Sequence, residues 1–241
     1  MNRLALILLR NLHKFPAAYG RLCRYAKHPE RYSEQERWEH IRYVMGLAAA
    51  SGNVDLQVTG LENLPKEPGF LLCGNHQGLF DVVAIAATCP IPLGAVYKKE
   101  LRQVPLLKQI YACTKSFAMD REDVRQSLQV IQAVIGEIKQ GRNYLIFPEG
   151  TRSKNGNVMG EFHGGSFRPA LKTKCPIVPF ALVDSFKVLD GKGSGPVTVQ
   201  LHYLPPIAYE EYKDLKTTQV AQLVKDRIAA CIQENTKENE P

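Results

Sequence analysis

His76 and Asp81 have four residues between them in the run Gly74-Asn75-His76-Gln77-Gly78-Leu79-Phe80-Asp81. The run follows Phe70-Leu71-Leu72-Cys73, an apolar stretch that reads as a buried strand. Asn-His, then Gln-Gly, then an acid is turn chemistry at the end of that strand. On one continuous helix, positions five apart sit roughly 140° apart, and the two side chains could not easily meet. If the chain turns after His76 and Asp81 opens the next helix, they can. A carboxylate on one imidazole nitrogen would fix the tautomer and leave the other nitrogen to take a proton. That is a general base with its orienting acid. A structural His–Asp pair without chemistry would use the same residues. No Gly-x-Ser-x-Gly elbow is present and no cysteine adjoins the histidine. Such a base would therefore activate a substrate's own hydroxyl rather than a protein nucleophile.

A second stretch has the same shape. Tyr144-Leu145-Ile146-Phe147 is an apolar strand stopped at Pro148, which cannot donate to a sheet ladder. Glu149-Gly150-Thr151-Arg152-Ser153 follows. Gly150 lets backbone approach a ligand, Thr151 and Ser153 offer hydroxyls, and Arg152 offers a planar fork suited to phosphate. An ordinary turn with an exposed arginine is the plainer alternative. Two strands that both end in polar turns suggest one cleft at the carboxyl edge of a sheet, where open α/β folds bind ligands.

Together, Asn75-His76 through Asp81 and Phe147-Pro148-Glu149-Gly150-Thr151-Arg152 resemble the NHxxxxD and FPEGTRS blocks of the glycerophospholipid acyltransferases. The chain is most similar to the 1-acylglycerol-3-phosphate acyltransferases within that superfamily. A looser block ending in Asp120-Arg121 and a later Pro176-Ile177-Val178-Pro179 stand in the family's order, across residues 54 to about 185. The resemblance implies the family's central mixed sheet flanked by helices. It also implies acyl transfer from a thioester of CoA or acyl carrier protein to the free hydroxyl of lysophosphatidic acid, with no cofactor beyond that donor; another lysolipid or glycerol 3-phosphate as acceptor, or a non-catalytic membrane-surface binding module, are the alternatives. His76 would be the general base and Asp81 its orienting acid. Glu149, Gly150, Thr151 and Arg152, with Arg121, would hold the acceptor's phosphate and glycerol, although Glu149 could instead position the arginines. Of the adjacent Lys98 and Lys99 at a strand end, Lys98 is the candidate to join the phosphate site; solvated surface is the alternative. His163 replaces a lysine that the family often carries in a Phe-Lys-x-Gly stretch, here Phe162-His163-Gly164-Gly165.

The N-terminus suggests where such chemistry would take place. The chain carries 31 basic and 24 acidic residues, net +7, and residues 1–31 hold +6 of that. Leu4, Ile7, Leu8 and Leu12 recur at helical spacing, with Arg10 and Lys14 beside them. The apolar run is far too short to span a bilayer, which takes about 20 residues. Arg10 interrupts it in a way a cleaved signal would not. A basic amphipathic helix of this kind reads as lying in a membrane interface, where each nearby Lys or Arg adds about 1 kcal/mol on anionic lipid. The expected location is the cytoplasmic face of the membrane, peripherally attached. Packing of the helix on the protein's own core is the alternative. No nucleic-acid reader motif accompanies the charge, so nucleic acid is not an expected partner.

These readings divide the chain into an N-terminal helical arm, residues 1–52, and an α/β domain, residues 53–241, with the motifs at about 70–185. Ser33-Glu34-Gln35-Glu36 is a capping box that opens a helix bearing Trp38, Ile41, Met45 and Ala48. Strands and helices then alternate, and Val197–Tyr203 reads as a late, edge-type strand. The six cysteines show neither a Cys-x-x-Cys nor a zinc spacing, and disulfides are not expected. A metal at His76 and Asp81 would need a third ligand that the local sequence does not supply.

Overall fold

A computed structural model describes residues 2–237 of the chain. Three helices come first: α1 (Arg3–Asn11), α2 (Phe15–Lys27) and α3 (Glu34–Ser51). An alternating series follows: β1 (Val54–Thr59), β2 (Leu71–Gly74), α4 (Phe80–Thr88), β3 (Leu93–Lys98), α5 (Leu107–Cys113), β4 (Phe117–Met119), α6 (Val124–Lys139) and β5 (Asn143–Ile146). The rest is α7 (Arg168–Thr173), β6 (Ile177–Val183), α8 (Phe186–Leu189), β7 (Val197–Tyr203), α9 (Tyr209–Tyr212) and α10 (Thr217–Lys237).

The seven strands form one sheet in the order β1-β7-β6-β2-β5-β3-β4. Every neighbouring pair is parallel except β6 with β7. Alternation along β2 explains the layers. Phe70 and Leu72 face a core shared with α2, α3 and α4, while Leu71 and Cys73 face one shared with α6 and α10. A strand buried on both faces needs the unbroken apolar run seen in the sequence.

Three sequence expectations change here. Strand β7 lies inside the sheet, and the edges are β1 and β4. Helix α2, unanticipated, buries Ala18, Leu22 and Tyr25 at three- and four-residue steps beneath a basic surface. Helix α3 is capped by Ser33, whose side chain accepts the Glu36 amide at 3.1 Å, but Glu36 turns its carboxylate to Tyr25 instead.

Leu22, Tyr25, Trp38, Ile41 and Met45 are buried in the same cluster as Leu72, Phe180 and Leu201. At about 2 kcal/mol for each buried side chain, these five contribute as much as a domain's net stability of about 5–15 kcal/mol. The boundary near residue 52 therefore does not separate two cores.

The outer edge of β4 is closed by one side chain. Gln126 of α6 donates to the Ala118 carbonyl at 2.8 Å and accepts the Asp120 amide at 2.9 Å. It fills the bonding positions that a further strand would use.

Candidate active site

Strand register brings the motifs together. Cys73 pairs with Ile146 in the parallel β2–β5 ladder. Carried three residues further, that register sets His76 level with Glu149. The Glu149 carboxylate uses the coincidence: Oε1 accepts the His76 amide and Oε2 the Gly160 amide, each at 2.8 Å. Ser153 adds a bond from its amide to the His76 carbonyl at 2.7 Å.

After His76 the chain turns through Gln77 and Gly78, and Asp81 stands in the first turn of α4. Asp81 Oδ2 meets His76 Nδ1 at 2.7 Å and also accepts the amides of Gln77 at 2.6 Å and Gly78 at 3.0 Å. Its Oδ1 accepts the Ser185 hydroxyl. A fully buried carboxylate is stable only with such a set of donors, and the positive end of a helix adds to it. The bond at Nδ1 leaves Nε2 of the half-buried ring to deal with a substrate proton. The ring stacks on Phe147 with centroids 4.1 Å apart, and Phe147 meets Phe180 edge-on. Imidazole position and tilt are thus set by packing as well as by hydrogen bonds.

The residues around His76 brace this loop against β6. The buried Asn75 side chain donates to the Leu182 carbonyl and accepts its amide, both at 2.8 Å. Gln77 donates to Leu182 and Asn157 and accepts the Ser185 amide. Gly74 has no alternative, because a Cβ there would lie 2.3 Å from the Phe180 carbonyl.

Of the expected acceptor ligands, Glu149 is buried and each of its carboxylate oxygens accepts a backbone amide, which braces the site. Gly150 has φ 67°, with His163 packed so close that a Cβ would be 3.3 Å from its ring. Thr151 and Arg152 are exposed just beyond. Arg152 Nη1 is drawn to Asp190 Oδ1, on the β6 side of His76. Arg121 follows β4 and Arg152 follows β5, two strands apart in the sheet, or about 10 Å at a spacing of about 4.8 Å per strand.

Lys98 ends β3 and pairs with Glu100 at 3.3 Å, and Glu100 in turn lies in the field of Arg121. Lys99 turns to Asp120. Because β2, β5, β3 and β4 run parallel, all these groups line the same carboxyl edge of the sheet.

Two site residues escaped sequence reasoning. Ser185 follows β6 in Asp184-Ser185, a polar turn at a strand end like the other two, and could have been found by that signature. Asp190 carries no such signal. Cysteine offers no nucleophile in this region. Cys73 is completely buried, and burial pushes its thiol far up; the same cause lifts Cys89 and Cys113 to about 11.

On the N-terminal helix the expected stripe splits. Leu4, Leu8 and Leu12 are exposed at 53%, 51% and 68%, with Leu9 and Phe15 also outward. Ile7 faces inward and is buried, and Gly52 and Ile7 pack closely. Arg10 binds the Ser51 carbonyl and Asn53 side chain, anchoring the helix to the fold, while Lys14 is exposed. Among the described residues no helix is long and apolar enough to cross a membrane.

The 1-acyl-sn-glycerol-3-phosphate acyltransferase of Salmonella typhimurium is 32% identical over 167 residues, covering 68% of this chain and 67% of that protein. The yeast protein of the same name is 28% identical over 187 residues, 75% of this chain, which spans 61% of the yeast relative's length. The crystal structure of the 1-acyl-sn-glycerophosphate (LPA) acyltransferase PlsC from Thermotoga maritima superposes with a TM-score of 0.77 over 96% of both chains at 21% identity, so the fold is shared. The Acyltransferase family model matches residues 55–183, which span every motif strand from β2 to β6, and the chain belongs to that family.

Proposed function

We propose that this chain transfers a fatty-acyl group from the thioester of CoA or acyl carrier protein to the free hydroxyl of 1-acylglycerol 3-phosphate, forming phosphatidic acid. The observation that carries the reading is the 2.7 Å contact between His76 Nδ1 and the buried Asp81. His76 Nε2 takes the proton from the acceptor hydroxyl as its oxygen attacks the thioester carbonyl. Asp81 stabilises the imidazolium that forms. Collapse of the tetrahedral intermediate expels the thiolate, which recovers the proton from His76. The thioester already supplies the activated acyl group, so no cofactor is needed. Arg152 binds the acceptor's phosphate, with Thr151, Lys98 and Arg121 as further donors along the same edge.

The names of the relatives support this acceptor. The exposed Leu4, Leu8, Leu9, Leu12 and Phe15, beside Lys14, support attachment to an anionic membrane surface, on the cytoplasmic side where acyl thioesters are made. Negative charge introduced by Leu8→Glu with Leu12→Glu should abolish co-sedimentation with vesicles rich in anionic lipid while leaving the melting temperature within a few degrees; unchanged sedimentation would remove this helix from the interface.

The decisive experiment is an acyltransfer assay with lysophosphatidic acid and both donor types, with His76→Ala in parallel. Wild type should make phosphatidic acid and the variant should lose at least about 10³-fold in turnover. Product formed equally by both proteins would dispose of the mechanism. Vesicle binding without turnover on any donor would instead favour a non-catalytic surface module.

A further inference from the structure

Asp190 belongs to none of the motifs and follows α8, beyond β6. Its carboxylate is shared between two loops. Oδ2 accepts the Leu79 amide at 2.8 Å, three residues from His76, and Oδ1 takes Nη1 of Arg152. Each oxygen has its own partner, and Arg152 meets the carboxylate through Oδ1. The single contact leaves the other N–H donors of Arg152 pointing elsewhere, and the side chain is partly exposed. The close approach is also built into the neighbouring residue: a Cβ at Gly78 would lie 2.5 Å from Asp190 Oδ2.

We propose that Asp190 is a positioning residue for acceptor recognition, fixing through Arg152 where the acceptor's phosphate sits relative to His76. The proposal rests on Arg152 being a phosphate ligand, as in the function proposed above. In a lysophosphatidate, a fixed number of bonds separates the phosphate from the reacting hydroxyl. That hydroxyl must reach the imidazole at about 2.6–3.2 Å, and a misplacement of about 1 Å can cost about 10²-fold in rate. A free surface arginine samples many rotamers and supplies no such register. An arginine tied to the loop that carries the base does. The monodentate grip keeps the rest of its fork available to phosphate oxygens.

Steady-state kinetics of the full chain on wild type, Asp190→Asn, Arg152→Ala and the double variant test this, with lysophosphatidic acid and acyl-CoA varied in turn. Asp190→Asn should raise KM for lysophosphatidic acid about tenfold, with a smaller drop in kcat and no change in KM for acyl-CoA. The double variant should be no worse than Arg152→Ala alone, because Asp190 acts through the arginine. Effects that multiply, an equal rise in the donor's KM, or no effect of Asp190→Asn would each reduce Asp190 to a brace for the fold and overturn the proposal. A lowered KM for lysophosphatidic acid would make it a competitor of phosphate and overturn it too. If Arg152→Ala itself leaves that KM unchanged, the phosphate role of Arg152 is what fails, and the proposal falls with it. Should Asp190→Asn prove unstable, Asp190→Ser retains an acceptor for Leu79 and carries the same expectations.

Discussion

The loop bearing His76 and the row of cations beside it occupy the same edge of the sheet, yet they are built in opposite ways. Around His76 almost every polar atom is committed. Asp81 is buried and takes four donors, Asn75 and Gln77 are tied to β6, and Glu149 fastens the His76 amide. Lys98, Arg121 and Arg152 are exposed, and Lys98 and Arg152 each rest on a single carboxylate. Under the function proposed above, the difference suits what each would do. A base that removes a proton in the transition state gains from being fixed beforehand, since nothing then reorganises during reaction. Cations that collect a hydrated phosphate gain from being reachable and able to exchange one partner for another.

The contrast can be broken most directly at Glu149. Glu149→Gln turns one acceptor oxygen into a donor that must face either the His76 or the Gly160 amide. If the rigid side is as important as its bonding suggests, kcat should fall about 10²-fold and stability by about 2 kcal/mol. A kcat near wild type, with urea denaturation showing the same stability, would mean that the loop holds its shape without this brace.

The adjustable side should give smaller and more selective losses. Arg152→Ala should raise KM for lysophosphatidic acid about tenfold, and Lys98→Ala about threefold, both with melting temperatures close to wild type. A larger loss at Lys98 than at Arg152 would move the phosphate toward the β3–β4 side of the edge.

A second histidine sharpens the comparison with the least expected effect. His76 has a carboxylate for a partner. His202 has only the Thr59 hydroxyl and the Gln200 side-chain oxygen, and burial lowers its pKa below 6.5. The unfolded chain therefore takes up this proton first. The stabilising share of a neutral His202 is complete above 6.5 and is lost as pH falls below it toward the folded value. Melting curves between about pH 7.5 and about pH 5.5 should show a shallower acid decline in His202→Gln than in wild type. Parallel curves would remove His202 as a contributor.

Much of the rigid side was legible in the sequence. Apolar runs that end in Asn75-His76 and in Pro148-Glu149 fix two parallel strands and their polar turns, and the short reach from His76 to Asp81 demands the turn that joins them. What stayed hidden depends on which strands neighbour one another. Arg121 and Arg152 follow β4 and β5, two places apart in the sheet, and strand order is not encoded in any local pattern. The burial of Glu149 follows from register across β2 and β5, which sets its carboxylate against the His76 amide. Val197–Tyr203 alternates as an edge strand would, but the neighbouring β1 comes from far earlier in the chain to cover it. At the N-terminus, helical periodicity groups Leu4, Leu8 and Leu12 with Ile7 and Arg10, yet Ile7 and Arg10 turn inward because Gly52, Ser51 and Asn53 meet that face.

The side chain of Gln126, lying along the outer edge of β4, has a consequence for solubility. Without it, the Ala118 carbonyl and Asp120 amide would stand open at the end of a seven-stranded sheet, in position to take a strand from a neighbouring molecule. Edge-to-edge growth of this kind is how folded sheets begin to aggregate, and it would be most dangerous where many copies crowd onto one lipid surface. A single glutamine on a helix thus acts as the last peptide unit at the β4 edge and closes that edge to other chains.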